Sequence, residues 1–456
     1  MDSSETRKST REIAADLMLM REQSGADITD LLKASFTREA AALSTQDRAF
    51  LKQLVIGTTE RLYSLDAAID RIASVRVKAM MPTIRAVIRV GAYQILYLDA
   101  VRDAAAVDEA VKSVKQAFPR KVSGFVNAVL RHISRDKEEL MTWLKGRDLS
   151  IRCSVSPYLC ELLRKERGEE QAAAILAAGL VPRALSIRPD PRLAAEKERY
   201  DRWLDALRGA VGSVRSHPLL PRLLLVDDPG DIRKLPGFTE GAFAVQDAAS
   251  ALAVDAAGIG RDDLVLDVCA APGGKAIYAA SLLKDPSRMT ARDLTEEKCA
   301  LLKENAERMR LSGMRIRQQD ATEPTPEENE RYDVVFCDLP CTGFGVMGRK
   351  PEIKYRADAE STASLVSLQR KILAVAADYV KPGGKLIYST CTISRAENED
   401  NVRWFVENRP FVTESWTDAD VPGVIRGSVV NGCLQLLPGE GETDGFFIAR
   451  LRKKVL

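Results

Sequence analysis

The second half of the chain alternates between two kinds of segment, and this alternation constrains the fold most strongly. From about residue 241, short apolar runs that suit buried strands alternate with longer stretches of helical spacing. The runs are 264–268, 289–293, 315–319, 333–338 and 385–389, with a late one at 446–451. Parallel strands that are covered by helices on both faces have this pattern. The sequence therefore predicts an α/β domain over residues 241–456.

The first half of the chain has a different pattern. Helical spacing alone is found up to about residue 140, in the segments 11–21, 46–64, 105–117 and 124–132 and in a helix that Pro82 opens. Residues 141–240 are rich in arginine and proline, and they read as a smaller mixed segment with a strand at 223–226. We therefore predict three domains, all-α over 1–140, small α+β over 141–240 and α/β over 241–456.

Composition excludes several classes of protein. Hydrophobic residues make up 45% and charged residues 29% of the 456, as in ordinary soluble domains. No apolar run approaches the roughly 18 residues of a membrane span, and the start has no signal-peptide core. We expect a cytoplasmic protein without membrane contact. Two histidines, neither near a nucleophile elbow, and eight cysteines without a Cys-x-x-Cys pair predict no metal site and no Ser-His-Asp hydrolase.

Charge is unevenly distributed although the net charge is only +2. Between Arg71 and Arg135 there are twelve basic and four acidic residues. A basic helical face suits the phosphate backbone of a nucleic acid. On charge alone, a solvated helix surface explains the excess equally well.

The segment Leu264–Ala276, LVLDVCAAPGGKA, predicts a ligand-binding loop. An apolar strand ends near Asp267, a loop of small residues follows, and a helix begins after it. Ligands of doubly wound sheets bind beyond the carboxyl ends of strands. There glycine lets the backbone approach the ligand closely, and the N–H groups at a helix N-terminus donate hydrogen bonds to an anion. The spacing is neither G-x-G-x-x-G nor that of a P-loop, which argues against a nicotinamide dehydrogenase.

Two acids follow the next two predicted strands. Asp293 lies 26 residues after Asp267, at a position that commonly accepts hydrogen bonds from ribose hydroxyls. Asp320 ends the strand after that, where an acid either holds an adenine amino group or caps a turn. Each acid alone is a weak signal, and three successive strand-end acids support one another.

Two cysteines follow two further strands. The segment VVFCDLPCTGFG delivers Asp338 and Cys341, and KLIYSTCTISRAENED delivers Cys391, after which Glu397–Glu399 are predicted to open a helix. An isolated cysteine is usually an inert core thiol. Two independent strand ends that present thiols to one crevice favour a chemical role instead.

These motifs resemble the RNA 5-methylcytosine methyltransferases of the Sun/Fmu/NOP class, in particular the members that act on bacterial 16S rRNA. The resemblance spans nearly the whole chain. Its N-terminal part, with DRAFLKQLVIGTTERLYSLD and GFVNAVLR, is similar to NusB, an RNA-binding helical domain. Relatives that act on tRNA normally lack that domain. The matching C-terminal motifs are LDVCAAPGGK, DLPCTG, GRKPEIKY, SLQRKIL, YSTCTISRAENE and DGFFIARL.

The resemblance implies a role for each motif residue and S-adenosylmethionine as the cofactor. Cys391 would add to C6 of the target cytosine, Cys341 would assist product release, and Asp338 would hydrogen-bond the cytosine. Asp293 would bind the ribose hydroxyls and Asp320 would lie by the adenine. Asp338 also borders the cofactor site, whose loop comprises Cys269, Ala270, Ala271, Pro272, Gly273, Gly274 and Lys275. A monomer without metal, acting on 16S rRNA, is implied.

Some positions depart from the family pattern. Leu339 and Thr342 stand where alanine and serine are usual, Phe344 replaces a small residue, Ala276 replaces threonine, and Pro189-Asp190 stands where Val-Asn is usual. No catalytic atom is lost, but the shape of the base pocket is affected. Two alternatives remain open, a cytosine-C5 methyltransferase that acts on tRNA and a non-catalytic ribosome-assembly factor that binds RNA.

Overall fold

The structure is a computed structural model that describes residues 8–417 and 422–455. It divides into two compact units, Met1–Leu180 with Met347–Ala357, and Val181–Val346 with Asp358–Leu456. The chain therefore leaves the second unit at residue 346, contributes eleven residues to the first, and returns at residue 358.

Helices account for the regular structure of the first 180 residues wherever the chain is described. Ser9 and Glu12 form a capping box at the start of the first helix, and Pro82 occupies the first turn of the fifth. The helices are α1 (Thr10–Ser24), α2 (Ile28–Ser35), α3 (Thr45–Glu60), α4 (Leu62–Ile72), α5 (Pro82–Tyr97), α6 (Asp103–Lys115), α7 (Arg120–Arg135), α8 (Lys137–Lys145), α9 (Leu149–Arg152), α10 (Pro157–Arg167) and α11 (Glu169–Ala178).

Two expectations for this region are wrong in detail. The predicted helix 46–64 is broken at Arg61, because a tyrosine far along the chain interrupts it: Tyr355 Oη donates to Thr59 O at 2.6 Å and accepts from Leu62 N at 3.2 Å. Residues 141–180 are helical rather than mixed, since buried Leu159 and Leu163 follow helical spacing.

The second unit begins with a small antiparallel sheet. Its strands lie in the order β2-β3-β1-β4, and the predicted strand 223–226 is confirmed as its β3. The elements are β1 (Leu185–Pro189), α12 (Pro191–Ala194), α13 (Lys197–Ala210), β2 (Ser213–Ser216), β3 (Leu224–Asp227) and β4 (Phe243–Val245). Trp203 of α13 packs near Phe243 and donates its indole N–H to Pro236 O at 2.9 Å.

A large mixed sheet forms the rest of the second unit. This sheet and its helices comprise α14 (Ala248–Ala257), β5 (Val265–Asp267), α15 (Gly274–Leu282), β6 (Met289–Asp293), α16 (Glu296–Arg308), β7 (Arg315–Gln318), β8 (Tyr332–Asp338), α18 (Ala359–Tyr379), β9 (Val380–Thr390), α19 (Glu399–Asn408), β10 (Phe411–Thr413), β11 (Val429–Val430), β12 (Cys433–Leu436) and β13 (Phe446–Lys453). The short helix α17 (Ile353–Arg356), between β8 and α18 in the chain, belongs to the first unit.

The strands of this sheet run in the order β11-β12-β13-β9-β8-β5-β6-β7, with β10 also paired to β13. The pairs among β5 to β9 are parallel, as the sequence predicts, and the later strands pair antiparallel. Alternate residues of β5 face opposite layers, because Val265 packs with α14 and α15 whereas Leu266 packs with α18. The predicted fold class, all-α followed by small α+β and α/β, is confirmed.

Candidate active site

Four of the predicted residues lie where parallel strands end. Asp267, Asp293 and Asp338 are the last residues of β5, β6 and β8, and Cys391 directly follows β9. Strand order reverses between β5 and β8, because β6 and β7 lie on one side of β5 and β9 lies beyond β8. Such a reversal opens a crevice at the carboxyl ends of the strands, where ligands of doubly wound folds bind.

The loop 269–275 is held by the carboxylates that end β5 and β6. Asp267 Oδ1 accepts from Cys269 N at 3.2 Å, and Asp293 Oδ2 accepts from Ala271 N at 2.9 Å. Gly273 has φ +111°, and a Cβ there would lie 2.9 Å from Ile277 Cδ1, so glycine is required. Because α15 begins at Gly274, its free N–H groups lie directly after this loop.

The two carboxylates differ in their electrostatic setting. Asp267 is buried, and burial together with the nearby charge of Asp338 raises its pKa to about 7. Asp293 receives, besides Ala271 N, a second main-chain donor from Leu294 N at 2.8 Å and an ion pair with Lys298 at 3.0 Å. Asp293 therefore carries a compensated negative charge beside the loop.

Asp320 has a different setting from the other strand-end acids. It is exposed, and its Oδ1 accepts from both the backbone N (2.8 Å) and the hydroxyl (2.7 Å) of Thr322. These bonds lower the pKa of Asp320. The carboxylate caps its own turn, and its predicted role beside an adenine remains a prediction.

Asp338 is held from two sides. Lys275 Nζ lies 2.7 Å from Asp338 Oδ2, and Ser389 Oγ donates to Asp338 Oδ1 at 2.9 Å. Lys275 is itself 7% exposed, and its ammonium lies 4.9 Å from the ring centroid of Phe446. The last residue of the 269–275 loop is thereby tied to the acid at the end of β8.

The two predicted thiols meet. Cys341 Sγ lies 3.4 Å from Cys391 Sγ, and both residues are partly exposed. The hydrogen bond with Cys391, together with burial, raises the pKa of Cys341 well above its usual range. Two thiols in contact titrate as a pair, and the thiolate is the reactive form of cysteine. Burial also raises the pKa of Cys269 and of Cys337, which keeps those thiols inert.

We define the Pro-Cys loop as residues 338–345 and the Thr-Cys loop as residues 390–398. Gly345 N donates to Cys391 O at 3.0 Å, and Gly345 O accepts from Gly445 N at 2.9 Å. A Cβ on Gly345 would lie 2.0 Å from Gly445 O. The backbones of both loops and of the DGFF motif therefore cross in van der Waals contact.

Sequence reasoning missed the polar residues that brace these loops. Glu397 was expected to open a helix with its neighbours, but α19 begins at Glu399 and Glu397 is fully buried beside the Pro-Cys loop. Gln369 of α18 is equally buried and donates to Glu397 Oε1 at 2.9 Å. The available signal was the SLQRKIL motif, which places a glutamine on the apolar face of a helix.

The departures from the family pattern lie mostly in the core. Leu339, Phe344 and Ala276 are buried, and Asp190 caps α12 and pairs with Arg192. Within residues 8–417 and 422–455, no group of three or more histidine, cysteine or acidic residues could hold a metal ion. No helix in the same ranges is long and apolar enough to cross a membrane.

Known proteins resemble both parts of the chain. The family model for the 16S rRNA methyltransferase RsmB/F matches residues 258–452, and that for the NusB family matches residues 8–135. A probable ribosomal RNA small subunit methyltransferase B of Bacillus subtilis (strain 168) is 33% identical, covering 98% of this chain and 99% of that protein. Ribosomal RNA small subunit methyltransferase B of Vibrio cholerae is 32% identical and covers 90% of each chain.

Solved structures share the fold. The crystal structure of PH0851 has a TM-score of 0.78 at 25% identity and covers 98% of this chain and 99% of its own. The structure of NSun6 from Pyrococcus horikoshii with SFG has a TM-score of 0.56 at 21% identity and covers 66% of this chain and 99% of its own.

A reversed parallel sheet with this row of strand-end residues defines a Rossmann-like methyltransferase, and NusB-like helices precede it. The chain belongs to the ribosomal RNA small subunit methyltransferase B family. The predicted resemblance is therefore confirmed, and the substrate class of the family is small-subunit rRNA.

Proposed function

We propose that the protein transfers a methyl group from S-adenosylmethionine to C5 of a cytosine in 16S rRNA, through a covalent bond between Cys391 Sγ and C6 of the base. The observation that carries this proposal is the 3.4 Å approach of the Cys341 and Cys391 sulfurs beside Asp338. Two thiols at adjacent strand ends are unnecessary for a protein that only binds RNA.

The residues at the ends of β5 and β6 fit the proposed cofactor. Residues 269–275 offer small side chains and free helix N–H groups for its carboxylate, and Asp293 retains acceptor capacity for ribose hydroxyls. We assign the adenine side to Asp320, whose carboxylate is exposed. When bound, S-adenosylmethionine supplies an electrophilic methyl group on a sulfonium.

Cys391 is the nucleophile of this proposal. Cytosine C5 is a poor nucleophile, and addition of the Cys391 thiolate to C6 turns C5 into an enamine carbon that can take up a methyl group. In this proposal Cys341, whose pKa is raised by its hydrogen bond with Cys391, keeps its proton while Cys391 reacts as the thiolate. Asp338, held by Ser389 and Lys275, is positioned to hydrogen-bond N3 and the exocyclic amine of the base.

Cys341 serves product release. Once Cys391 is a neutral thioether, the hydrogen bond that raises the pKa of Cys341 is lost, and Cys341 can release its proton to solvent. Its thiolate then accepts the C5 proton, the C–H electron pair re-forms the C5–C6 double bond, and the Cys391–C6 bond breaks with Cys391 leaving as a thiolate. The pair returns to its starting protonation state, with one proton released per turnover.

RNA binding is assigned to the segments that precede the α/β domain, residues 1–140 and 141–240. The basic excess of the helical unit is smaller at its surface than in its sequence, because Arg85 and Arg89 are largely buried in ion pairs with Glu22 and Asp66. Arg76, Lys112 and Arg135 are exposed, and each forms a surface ion pair, with Asp70, Glu109 and Asp136, that a phosphate would have to compete with. The resemblance to the family implies a monomer, and we propose that state here.

The test is transfer of radiolabelled methyl from S-adenosylmethionine to unmodified 16S rRNA, with bulk tRNA in parallel. We expect labelled 5-methylcytosine in rRNA alone, no label with Cys391→Ala, and a protein–RNA adduct that resists denaturation with Cys341→Ala. Cys160→Ala, which removes a thiol of α10 in the helical unit, is the control and should behave as wild type. Full activity of Cys391→Ala would refute the nucleophile, label in tRNA would change the substrate, and absence of both transfer and cofactor binding would favour an assembly factor.

A further inference from the structure

The residues on either side of Cys341 are tied to one buried carboxylate. Glu397 Oε1 accepts from Thr342 N at 2.9 Å, and Glu397 Oε2 accepts from Thr342 Oγ1 at 2.5 Å. Gln369 Nε2 donates both to Glu397 Oε1 and to Pro340 O, each at 2.9 Å. Glu397 therefore holds Thr342 directly and holds Pro340 through the side chain of Gln369. Because both neighbours of Cys341 are held, the position of its sulfur is restricted.

The next residue in the chain braces the other cysteine. Asn398 Nδ2 donates to Thr392 O at 3.0 Å, and Asn398 Oδ1 accepts from Thr390 Oγ1 at 2.6 Å. These contacts fix the residues on either side of Cys391. Two consecutive side chains, both fully buried, therefore each hold the residues that flank one cysteine, and the hydroxyls of Thr342 and Thr392, 2.7 Å apart, join the two loops.

We propose that Glu397 is the positioning residue for Cys341, while Asn398 holds Cys391, so that the two residues serve different steps of one reaction. This inference rests on the roles given to the two cysteines under Proposed function. Glu397 is 55 residues from Thr342 along the chain and reaches it only through the fold, so the contact brings the Thr-Cys loop to the Pro-Cys loop.

A carboxylate suits this position for two reasons. It accepts three hydrogen bonds from Thr342 and Gln369, which offset part of the cost of burial. Burial raises the pKa of Glu397 above its usual value, and the donors offset only part of that rise. Its negative charge also contributes to the raised pKa of Cys341, so the brace favours the protonated form of the thiol before the base arrives.

The experiment compares two alanine variants in single-turnover reactions with 16S rRNA and S-adenosylmethionine, following adduct formation and adduct decay on denaturing gels. For Glu397→Ala we expect decay slowed by at least ~10-fold with formation within ~3-fold of wild type, because small displacements of a catalytic group are costly. For Asn398→Ala we expect formation slowed by at least ~10-fold and no accumulated adduct.

The conservative variant and the cysteine variants complete the test. Glu397→Gln keeps an oxygen facing Thr342 N and Gln369 Nε2, so decay should stay within ~3-fold of wild type. If Glu397→Ala does not fold, Gln369→Ala, which removes the link to Pro340 O and one of the three hydrogen bonds that Glu397 accepts, should slow decay by ~3-fold or more.

Two other outcomes would overturn different statements. If Glu397→Ala and Asn398→Ala each slowed adduct formation and adduct decay equally, the two residues would only stabilise the fold, and the inference would be overturned. Absence of adduct in Cys341→Ala would instead overturn the two-cysteine function itself. Adduct in Cys341→Ala together with normal decay in Glu397→Ala would reject the role of Glu397 alone.

Discussion

At the ends of β5 and β6 the chain is held by carboxylates that accept main-chain N–H groups, whereas at the ends of β8 and β9 side chains reach between loops. We call the first region the cofactor half (residues 267–275 and Asp293) and the second the nucleophile half (the Pro-Cys and Thr-Cys loops). In the cofactor half, the main-chain N–H groups that Asp267 and Asp293 accept belong to the loop after the same strand or after the neighbouring strand. In the nucleophile half, the hydrogen bonds that Glu397 accepts join residues 28 and 55 positions apart in the chain.

The cofactor half and the nucleophile half should therefore differ in which side-chain substitutions they tolerate. Main-chain donors survive most substitutions of the residues that carry them, so the cofactor half depends on a few acids and glycines. The nucleophile half depends on side chains and on close backbone crossings, where one added methyl group displaces a loop. The predictions below test this contrast.

The largest expected effect is that of Gly345→Ala in the nucleophile half. Its Cβ would lie 2.0 Å from Gly445 O, so the loops must separate and the two sulfurs with them. We expect methyl transfer to fall by about 100-fold, the usual result of a shift of about 1 Å in a catalytic group. The control is Gly209→Ala in α13, where an added Cβ meets nothing within 4 Å and activity should be unchanged. Equal activity of both variants would contradict the close crossing.

The next effect concerns Asp293 in the cofactor half. Removal of this carboxylate in Asp293→Ala frees Ala271 N and takes away the proposed ribose acceptor, so the Kd for S-adenosylmethionine should rise about 10- to 100-fold. Calorimetric titration measures it. The matched change Asp320→Ala removes an exposed carboxylate that caps its own turn, and it should raise Kd by no more than about 5-fold. A larger rise in Kd for Asp320→Ala than for Asp293→Ala would mean that Asp320 contributes more to cofactor binding than Asp293.

The raised pKa of Asp267 predicts that the stability of the fold depends on pH. Its pKa is raised to about 7 in the folded protein, so the native state binds more protons than the unfolded chain between about pH 4 and pH 7. The free energy of unfolding contributed by this residue is present at low pH and is lost as pH rises through that window. Asp267→Asn lacks the effect.

The measurement is denaturant unfolding of wild type and Asp267→Asn at pH 5 and pH 8. Relative to the variant, wild type should lose on the order of 2 kcal/mol between the two pH values. A difference that does not change with pH would mean that Asp267 is ionised in the folded protein throughout this range.

The smallest expected effect is that of Ser389→Ala. It removes the hydroxyl that donates to Asp338 Oδ1, while the ion pair with Lys275 remains. We expect kcat for methyl transfer to fall by about 5-fold with the KM for S-adenosylmethionine unchanged, since one hydrogen bond contributes about 1 kcal/mol. Ser281→Ala in α15, also buried, is the control. A change in the KM for S-adenosylmethionine without a change in kcat would mean that Ser389 supports cofactor binding rather than the nucleophile half.

The same contrast explains how much could be predicted from the sequence. The strands that end at Asp293 and Asp338, the loop after Asp267 and the meeting of the two cysteines follow from short motifs and the geometry of parallel sheets. The brace by Glu397 and Gln369 does not, because it joins residues that lie far apart in the chain. The helix break at Arg61 has the same cause, since Tyr355 lies nearly 300 residues away.

The segment Met347–Ala357 gives the protein an unusual order of assembly during synthesis. Glu352 and Lys354 are buried in the helical unit, where Ile28 N donates to Glu352 Oε1 and Lys354 Nζ donates to Glu60 O. Those partners emerge from the ribosome some 300 residues earlier, and their contacts with Glu352 and Lys354 cannot form until the segment has been synthesised. Domains usually finish folding in the order of translation. Here the first unit receives its last segment only when most of the second has already been made, so its final contacts form late in translation.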